Sequence, residues 1–483
     1  MDPLLLLQEV LRRFPFEVTL VAVGLALWAS GHAALHKRDS RAATGWVGII
    51  WLVPFIGSAL YFLFGINRIR RTARAARRAR PSWPGTAEGV QPTGGVSPEG
   101  LPLAQLAKLG ERLTSRPLLA GNRLRPLEGG DEAFPPMLDA IRSAKQSVTL
   151  STYIFDNDAV GRAFADALGE AVKRGVAVRI LIDDFGARYS FPSIVRGLRR
   201  RNVPTARFLA ASRLATLPYL NLRKHRKTLV IDGRAGFTGG MNIRAGHQLS
   251  LKPRSPVQDT HFSVNGPVVS QLQEIFAADW AFTTGEALQG EQWFPEIPPA
   301  GDVPARAISD GPDEDIDKLP MLLLGAIGAA RHSIRIATPY FLPYITLAYA
   351  LYLAAARGVR VELVLPEKSN LPFVHWAAWP QLGHLLDRGC HVWLSPPPFD
   401  HTKLLVIDEE WSMIGSANWD SRSLRLNFEL NVECYGRDLG RELAGLFDRK
   451  REKARPLTPE KLASRPLPLR LRDGFARLFS PYL

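Results

Sequence analysis

The sequence predicts a duplicated α/β fold: two homologous α-β-α domains, each a mixed sheet flanked by helices, preceded by two transmembrane helices. Three observations carry this prediction. The motif His-x-Lys-x-x-x-x-Asp occurs twice, as His225-Arg226-Lys227 with Asp232 and as His401-Thr402-Lys403 with Asp408. A longer repeat surrounds both motifs, and two apolar stretches open the chain.

The apolar stretches run from Val18 to Leu35, interrupted by His32, and from Trp46 to Phe64, with Pro54 and Gly57 inside. Each is close to the roughly 20 residues that cross a hydrocarbon core. Their close spacing suits a helical hairpin; shallow insertion of the Pro54-containing stretch is the alternative. A cleaved signal peptide fits poorly, because a second apolar stretch follows at once. Next comes a run from Arg68 to Arg80 with seven Arg in thirteen positions and no acid. By the positive-inside rule it marks the cytoplasmic side, and it would attract anionic headgroups. Lys37, Arg38 and Arg41 make the loop between the two stretches basic as well, which works against that orientation. Residues 1–66 thus read as a membrane anchor and 67–110 as a linker, basic at first and then rich in Pro and Gly. The expected location is a bacterial cytoplasmic (inner) membrane, with the remaining domains inside.

The repeat sets the domains. Lys173-Arg174-Gly175-Val176 leads into Ala177-Val178-Arg179-Ile180-Leu181-Ile182, and Ala356-Arg357-Gly358-Val359 into Arg360-Val361-Glu362-Leu363-Val364-Leu365. In both copies a helix-like stretch precedes a Gly suited to a helix C-terminus, and a buried strand follows. Upstream, Ser147–Phe155 matches Ser333–Phe341. Two α/β halves follow, at 111–296 and 305–483, linked by the Pro-rich Pro295–Pro304. Helices between neighbouring strands imply mixed sheets.

In a strand, residues two apart face the same way. If each His-x-Lys opens a strand, two such strands side by side present two imidazoles and two ammonium groups to one cleft. That set suits phosphoryl transfer by side chains, with no metal and no cofactor. One neutral His attacks phosphorus, a protonated one supplies the leaving alkoxide with its proton, and Lys227 and Lys403 stabilise the oxygens. Asn242 and Asn418, each ending a small-residue stretch after its motif, offer further donors to the phosphate. Asp259, 34 residues after His225, and Glu429, 28 residues after His401, read as the carboxylates that orient the imidazoles. Asp232 and Asp408 complete the candidate catalytic set. Their odd offset from the Lys turns them to the opposite side of a strand, where they would hold turns.

A net charge of +15 calls for an anionic partner, either nucleic acid or an acidic membrane. Two Cys suit neither a disulfide scaffold nor a metal site. Arg465, Arg470 and Arg472 lead into Phe475, Leu478 and Phe479, giving either an amphipathic surface helix or a packed one. Leu371–Pro380 (LPFVHWAAWP) reads as an acyl-chain groove or a buried helix.

Both motifs, with Gly415–Ser423, Leu426–Glu429 and Ala337–Pro343, resemble the phospholipase D superfamily, and within it the membrane-anchored bacterial cardiolipin synthases. The resemblance implies two phospholipase D-like domains and phosphatidyl transfer between two phosphatidylglycerol molecules through a phosphohistidine. By that analogy His225 is the nucleophile and His401 the acid and base. Arg244-Ala245-Gly246-His247 departs from the family's acidic and aromatic segment, and Val257-Gln258 stands where an aromatic residue is usual; both bear on the acceptor. The resemblance makes phosphatidylglycerol and an anionic membrane the expected partners. Alternatives are a hydrolytic phospholipase D, transfer to another alcohol, a phosphodiester nuclease and a non-enzymatic scaffold. The membrane segments and the lack of a nucleic-acid-binding motif argue against the nuclease.

Overall fold

The computed structural model describes residues 15–37, 40–66, 95–101, 103–209, 222–312 and 317–480. They fall into two compact units, 15–66 and the remainder. The Arg-rich run and the Pro/Gly-rich segment as far as residue 94 lie outside the described residues.

In the first unit one helix, Phe16–His36, is long and apolar enough to cross a membrane. The expected second crossing is not a single helix. It divides into Ser40–Leu52, Pro54–Leu60 and a π-helical turn, Tyr61–Gly65. The cause is Pro54, which lacks an N–H and restricts the residue before it; Val53 leaves the helical region at φ −140°, ψ 77°. The chain doubles back so tightly that a Cβ on Gly57 would stand 2.5 Å from the carbonyl oxygen of Ile49. The Tyr61 hydroxyl then hydrogen-bonds Nδ1 of His32 at 2.8 Å, tying the turn to the first helix.

The second unit is built on one continuous mixed sheet. Its first half runs, in spatial order, through Leu119–Glu128, Thr260–Asn265, Ala235–Gly239, Thr228–Ile231, Ser147–Thr152, Ala177–Asp183 and Thr205–Phe208. The second half repeats that order with Val303–Asp310, Asn427–Tyr435, Trp411–Gly415, Leu404–Ile407, Ser333–Ala337, Arg360–Pro366 and His391–Ser395. The halves join where Leu119–Glu128 and Val303–Asp310 pair antiparallel. Between the halves, residues 285–302 contain no helix or strand.

Each repeat follows from its sequence. Helices Ala159–Lys173 and Ile345–Ala356 end before Gly175 and Gly358, whose φ values of +86° and +90° suit glycine. The β-branched runs that follow pair parallel with Ser147–Thr152 and Ser333–Ala337, as a buried helix–strand crossover requires. Helices Val268–Thr284 and Arg437–Glu452 lie over the centre of the sheet, and their apolar faces share one core with strands of both halves. Leu272, Leu443 and Phe447 are fully buried there, each contributing about 1.5–3 kcal/mol of apolar transfer.

The C-terminal helix Leu467–Arg477 packs on helix Pro372–Leu386. Asp473 on the inner face of this helix is buried, within 2.6 Å of Arg465 and 2.8 Å of Arg472. Those arginines in turn cover the rings of Trp379 and Trp376 at 4.1 and 4.3 Å. Leu467, Leu471, Phe475 and Leu478 remain exposed on its other face, so the tail is at once packed and amphipathic. Cys390 and Cys434 are free and buried.

Candidate active site

The His-x-Lys segments lie just before their strands. His225–Lys227 connects the two-residue strand Arg223–Lys224 to Thr228–Ile231, and His401–Lys403 connects Phe399–Asp400 to Leu404–Ile407. The expectation that the two motif strands lie side by side is corrected: six strands separate them in the sheet. The histidines meet because each short entry strand pairs with the opposite half. Arg223–Lys224 runs parallel to Asn427–Phe428, and Phe399–Asp400 to Val257–Gln258. The His225 N–H donates to the Phe428 carbonyl at 2.9 Å, and the His401 N–H to the Gln258 carbonyl at 2.7 Å. These cross-bonds draw both imidazoles over the seam into one pocket.

The orienting carboxylates are crossed as well. His225 Nδ1 lies 3.0 Å from Glu429 Oε2, and His401 Nδ1 lies 2.8 Å from Asp259 Oδ2. Sequence spacing had associated each carboxylate with the histidine upstream in its own half, whereas each serves the histidine of the other. Glu429 also accepts from the Ser416 hydroxyl at 2.5 Å and from Asn427 Nδ2 at 3.1 Å. Asp259 accepts from the Thr260 N–H at 2.8 Å. With Nδ1–H donated to a carboxylate, the neutral ring presents an unprotonated Nε2.

The residue between His and Lys locks each crossing. Arg226 donates to the Glu429 carbonyl at 3.0 Å, to the Asp310 carbonyl at 3.0 Å and to Asp279 Oδ1 at 2.7 Å. Buried Lys224 pairs with the same Asp279. In the other motif the Thr402 hydroxyl meets that of Thr260 at 3.2 Å. Lys227 and Lys403 fold back to donate to the carbonyls of His225 and His401, at 2.6 and 2.5 Å.

Burial sets the electrostatics. It pulls Lys227 down to about 7 and Lys403 to about 8, against the opposing attraction of nearby carboxylates. Both imidazoles are depressed, His401 strongly, first by burial and then by the two lysines. Burial alone would raise Glu429, but His225 and Lys227 outweigh it and hold the carboxyl low. Asp259 is raised by burial despite Lys403.

Asn242 and Asn418 line the same pocket. Asn242 Oδ1 accepts from the Ile154 N–H at 3.1 Å, and Asn418 Nδ2 donates to Ser423 Oγ at 3.1 Å. Asp232 and Asp408, included in the candidate catalytic set, do not line the pocket. Both adopt a left-handed backbone, φ +51° and +53°. Asp232 accepts from the N–H groups of residues 145–147, and Asp408 from those of 331–333, all within 3.1 Å. They clamp the start of the strand that flanks each motif strand. Among the described residues no group of three or more His, Cys, Asp or Glu side chains is arranged to hold a metal ion.

One family model, "Cardiolipin synthase, PLD-like domain", matches residues 137–280 and again 323–451. The chain belongs to the cardiolipin synthase family of phospholipase D-like proteins. A second model, the phospholipase D-nuclease N-terminal region, covers residues 24–65. The chain is 31% identical over 465 residues to the major cardiolipin synthase ClsA of Bacillus subtilis, spanning 93% of this chain and 95% of that one. It is 29% identical over 462 residues to a cardiolipin synthase of Staphylococcus aureus, spanning 93% of each. Among solved structures, phosphatidylserine synthase of Haemophilus influenzae superposes with a TM-score of 0.62 at 14% identity. It covers 78% of this chain and 100% of that one, a likeness of fold.

In this member of the cardiolipin synthase family, several pocket residues escaped the sequence reading. The Tyr153 ring stands 5.5 Å from that of His225, and the Tyr340 ring 6.3 Å from that of His401. Both sit just past the matching Ser147–Thr152 and Ser333–Ala337 strands, so the repeat itself carried the signal. His247, from the segment that departs from the family, has its ring 6.5 Å from His401, and burial drives it down to about 3. Arg223, Arg422 and Asp420 also line the pocket, and burial raises Asp420 to about 6. No spacing rule marked these three. Of the LPFVHWAAWP segment, Leu371 and Val374 reach the pocket, while Trp376 lies under Arg472 of the C-terminal helix and Trp379 under Arg465 just before it.

Proposed function

We propose that the chain makes cardiolipin and glycerol from two phosphatidylglycerol molecules through a phosphohistidine. One observation carries the reading: two imidazoles share a pocket, each with Nδ1 held by a carboxylate and Nε2 left for substrate. Nε2 of neutral His225 attacks the phosphorus of the first lipid. The P–O bond to glycerol breaks as protonated His401 gives its proton to the departing oxygen. The hydroxyl of a second phosphatidylglycerol then attacks the same phosphorus. Its proton passes to His401, the P–N bond breaks, and cardiolipin leaves. A bound phosphodiester brings a negative charge that favours the imidazolium. Lys227, Lys403, Asn242 and Asn418 supply the cationic and neutral donors around the phosphate.

Exchanged roles have one observation in their favour: burial and the two lysines depress His401 further than His225, whose partner Glu429 is itself held low. Purified protein given labelled phosphatidylglycerol in detergent, with His225→Ala as control, tests both levels. Cardiolipin plus glycerol, absent in the variant, supports the synthase; phosphatidic acid alone would make the chain a hydrolase. Peptide mass analysis of the quenched reaction identifies the histidine that carries the phosphorus.

The substrates lie in a bilayer, and the exposed Leu467, Leu471, Phe475 and Leu478 beside Arg470 and Arg477 suit an anionic membrane surface. In the anchor, one crossing by Phe16–His36 followed by a re-entrant turn would keep Lys37 and Ile66 on the same side. The basic sequence flanking the turn then obeys the positive-inside rule, as it would not with two crossings, and we read that side as cytoplasmic.

A further inference from the structure

Each step of the proposed reaction breaks or makes a bond at a terminal oxygen of a headgroup glycerol. In both steps the neighbouring carbon carries a free hydroxyl. Its proton needs an acceptor, and the lysines around the phosphate are donors only. We propose that Asp420 recognises this middle hydroxyl and so selects glycerol, an inference that rests on the synthase reading above.

Asp420 lines the pocket that holds His225 and His401 and is only 5% exposed. A short strand sets its direction. Trp419–Asp420 pairs parallel with Phe341–Leu342, and the Trp419 ring stacks on that of Phe341 at 6.0 Å. Successive residues of an extended segment point opposite ways. With Trp419 in the core, Asn418 and Asp420 on either side of it both reach the pocket. Asp420 stands 19 residues past His401, and Arg244 stands 19 past His225. The two positions are equivalent in the fold, since Ile243 bridges Phe155 as Trp419 pairs with Phe341. The halves therefore bring opposite charges to matching places in one pocket. Arg244 is paired with Asp156 at 3.2 Å. Among the described residues no lysine, arginine or histidine forms an ion pair with Asp420.

One oxygen of this carboxylate is committed: Oδ1 accepts from the Ser423 N–H at 2.6 Å. Among the described residues no other donor hydrogen-bonds the group, which leaves Oδ2 for a ligand. Burial raises Asp420 to about 6, and Glu429 adds to the rise, against the pull of the Ser423 N–H, Arg422 and Lys403. Above that pH a hydroxyl placed on Oδ2 makes a short, charge-assisted hydrogen bond. A buried carboxylate with an unused acceptor position is costly, and a headgroup hydroxyl removes that cost without adding a charge. An ammonium headgroup would also suit a carboxylate, but it would enter where the charge of Lys403 already acts on Asp420. Asp420 makes and breaks no bond. The acceptor hydroxyl attacks phosphorus, its proton goes to an imidazole and the P–N bond breaks, while Asp420 holds the hydroxyl next to the attacking one.

The test uses the full chain in detergent micelles, with phosphatidylglycerol as donor and three labelled soluble acceptors. Glycerol has the middle hydroxyl, 1,3-propanediol lacks only that group, and ethanolamine carries an ammonium on the neighbouring carbon. By kcat/KM the wild type should use glycerol at least tenfold better than either of the others, as expected of a site built to hydrogen-bond a hydroxyl. In Asp420→Asn the amide oxygen can still accept from Ser423, while an N–H group replaces the free acceptor. The preference for glycerol over 1,3-propanediol should therefore fall at least tenfold. An unchanged preference, or the equal loss of both transfers that a purely structural role would give, overturns the proposal. Should the variant fail to fold, the wild type decides: equal use of glycerol and 1,3-propanediol, or better use of ethanolamine, overturns it. A wild type that makes cardiolipin without the preference removes this subsite alone. A wild type that makes neither cardiolipin nor any transfer product removes the synthase reading and this proposal with it.

Discussion

Nδ1 of His401 lies 2.8 Å from Oδ2 of Asp259, a carboxylate from the opposite half of the chain. Glu429 holds His225 in the reciprocal way at 3.0 Å. An imidazole whose carboxylate becomes an amide can settle in the wrong tautomer with little change of shape. Asp259→Asn and Glu429→Gln should therefore each lower kcat by roughly a thousandfold or more while melting within a few degrees of wild type. Activity within tenfold of wild type in either variant would remove the orienting role.

The buried lysines set an alkaline limit. Burial places Lys227 near 7 and Lys403 near 8, so their charges are present below those values and lost above them. Cardiolipin formation, followed as kcat/KM in the free enzyme, should fall between about pH 7 and 9. The two lysines interact, so the limb reports the pair rather than either residue. A profile flat to pH 10 would mean that neither charge is needed.

Asp232 and Asp408 should fail differently from the histidines. Each anchors three consecutive backbone N–H groups and does not line the pocket that holds the histidines. Asp408→Ala is expected to cost roughly 2–3 kcal/mol of stability, the scale of charge-assisted hydrogen bonds lost together. At a temperature where it is folded, its turnover should stay within a few fold of wild type. Thermal unfolding and initial rates on the same sample separate the two effects.

The anchor makes a topological prediction. With one crossing and a re-entrant turn, residue 40 lies on the cytoplasmic face; with two crossings it lies outside. Cys390 and Cys434 are buried, so Ser40→Cys supplies the one reactive thiol among the described residues. An impermeant maleimide should label it only after the cells are opened. Labelling of intact cells would restore the second crossing.

Much of the candidate site was legible because it is written twice: His225 and His401, their lysines and the two asparagines stand out by repetition, and all but the buried lysines line the pocket. Which carboxylate serves which histidine was not legible, because spacing along a chain says nothing about which repeat faces which. Tyr153 and Tyr340 lie within the aligned repeat, but a matching pair of aromatics does not by itself say whether they fill a core or line a pocket. Neither repeat nor spacing singles out Arg223, which reaches the pocket through the cross-pairing of its short strand with Asn427. The break at Pro54 was visible as a residue, yet an apolar stretch reads as continuous until the proline's missing N–H is taken into account.

A duplicated domain ordinarily leaves one copy free to drift, since the other preserves the activity. Crossed pairing removes that freedom. A change at Asp259 in the first half would leave the histidine of the second without its carboxylate, and one at Glu429 would do the same to that of the first. Neither copy can decay into a bystander, and a fragment holding one repeat would carry a histidine without its carboxylate. Selection therefore acts on the two repeats as a single heritable unit, long after the duplication that produced them.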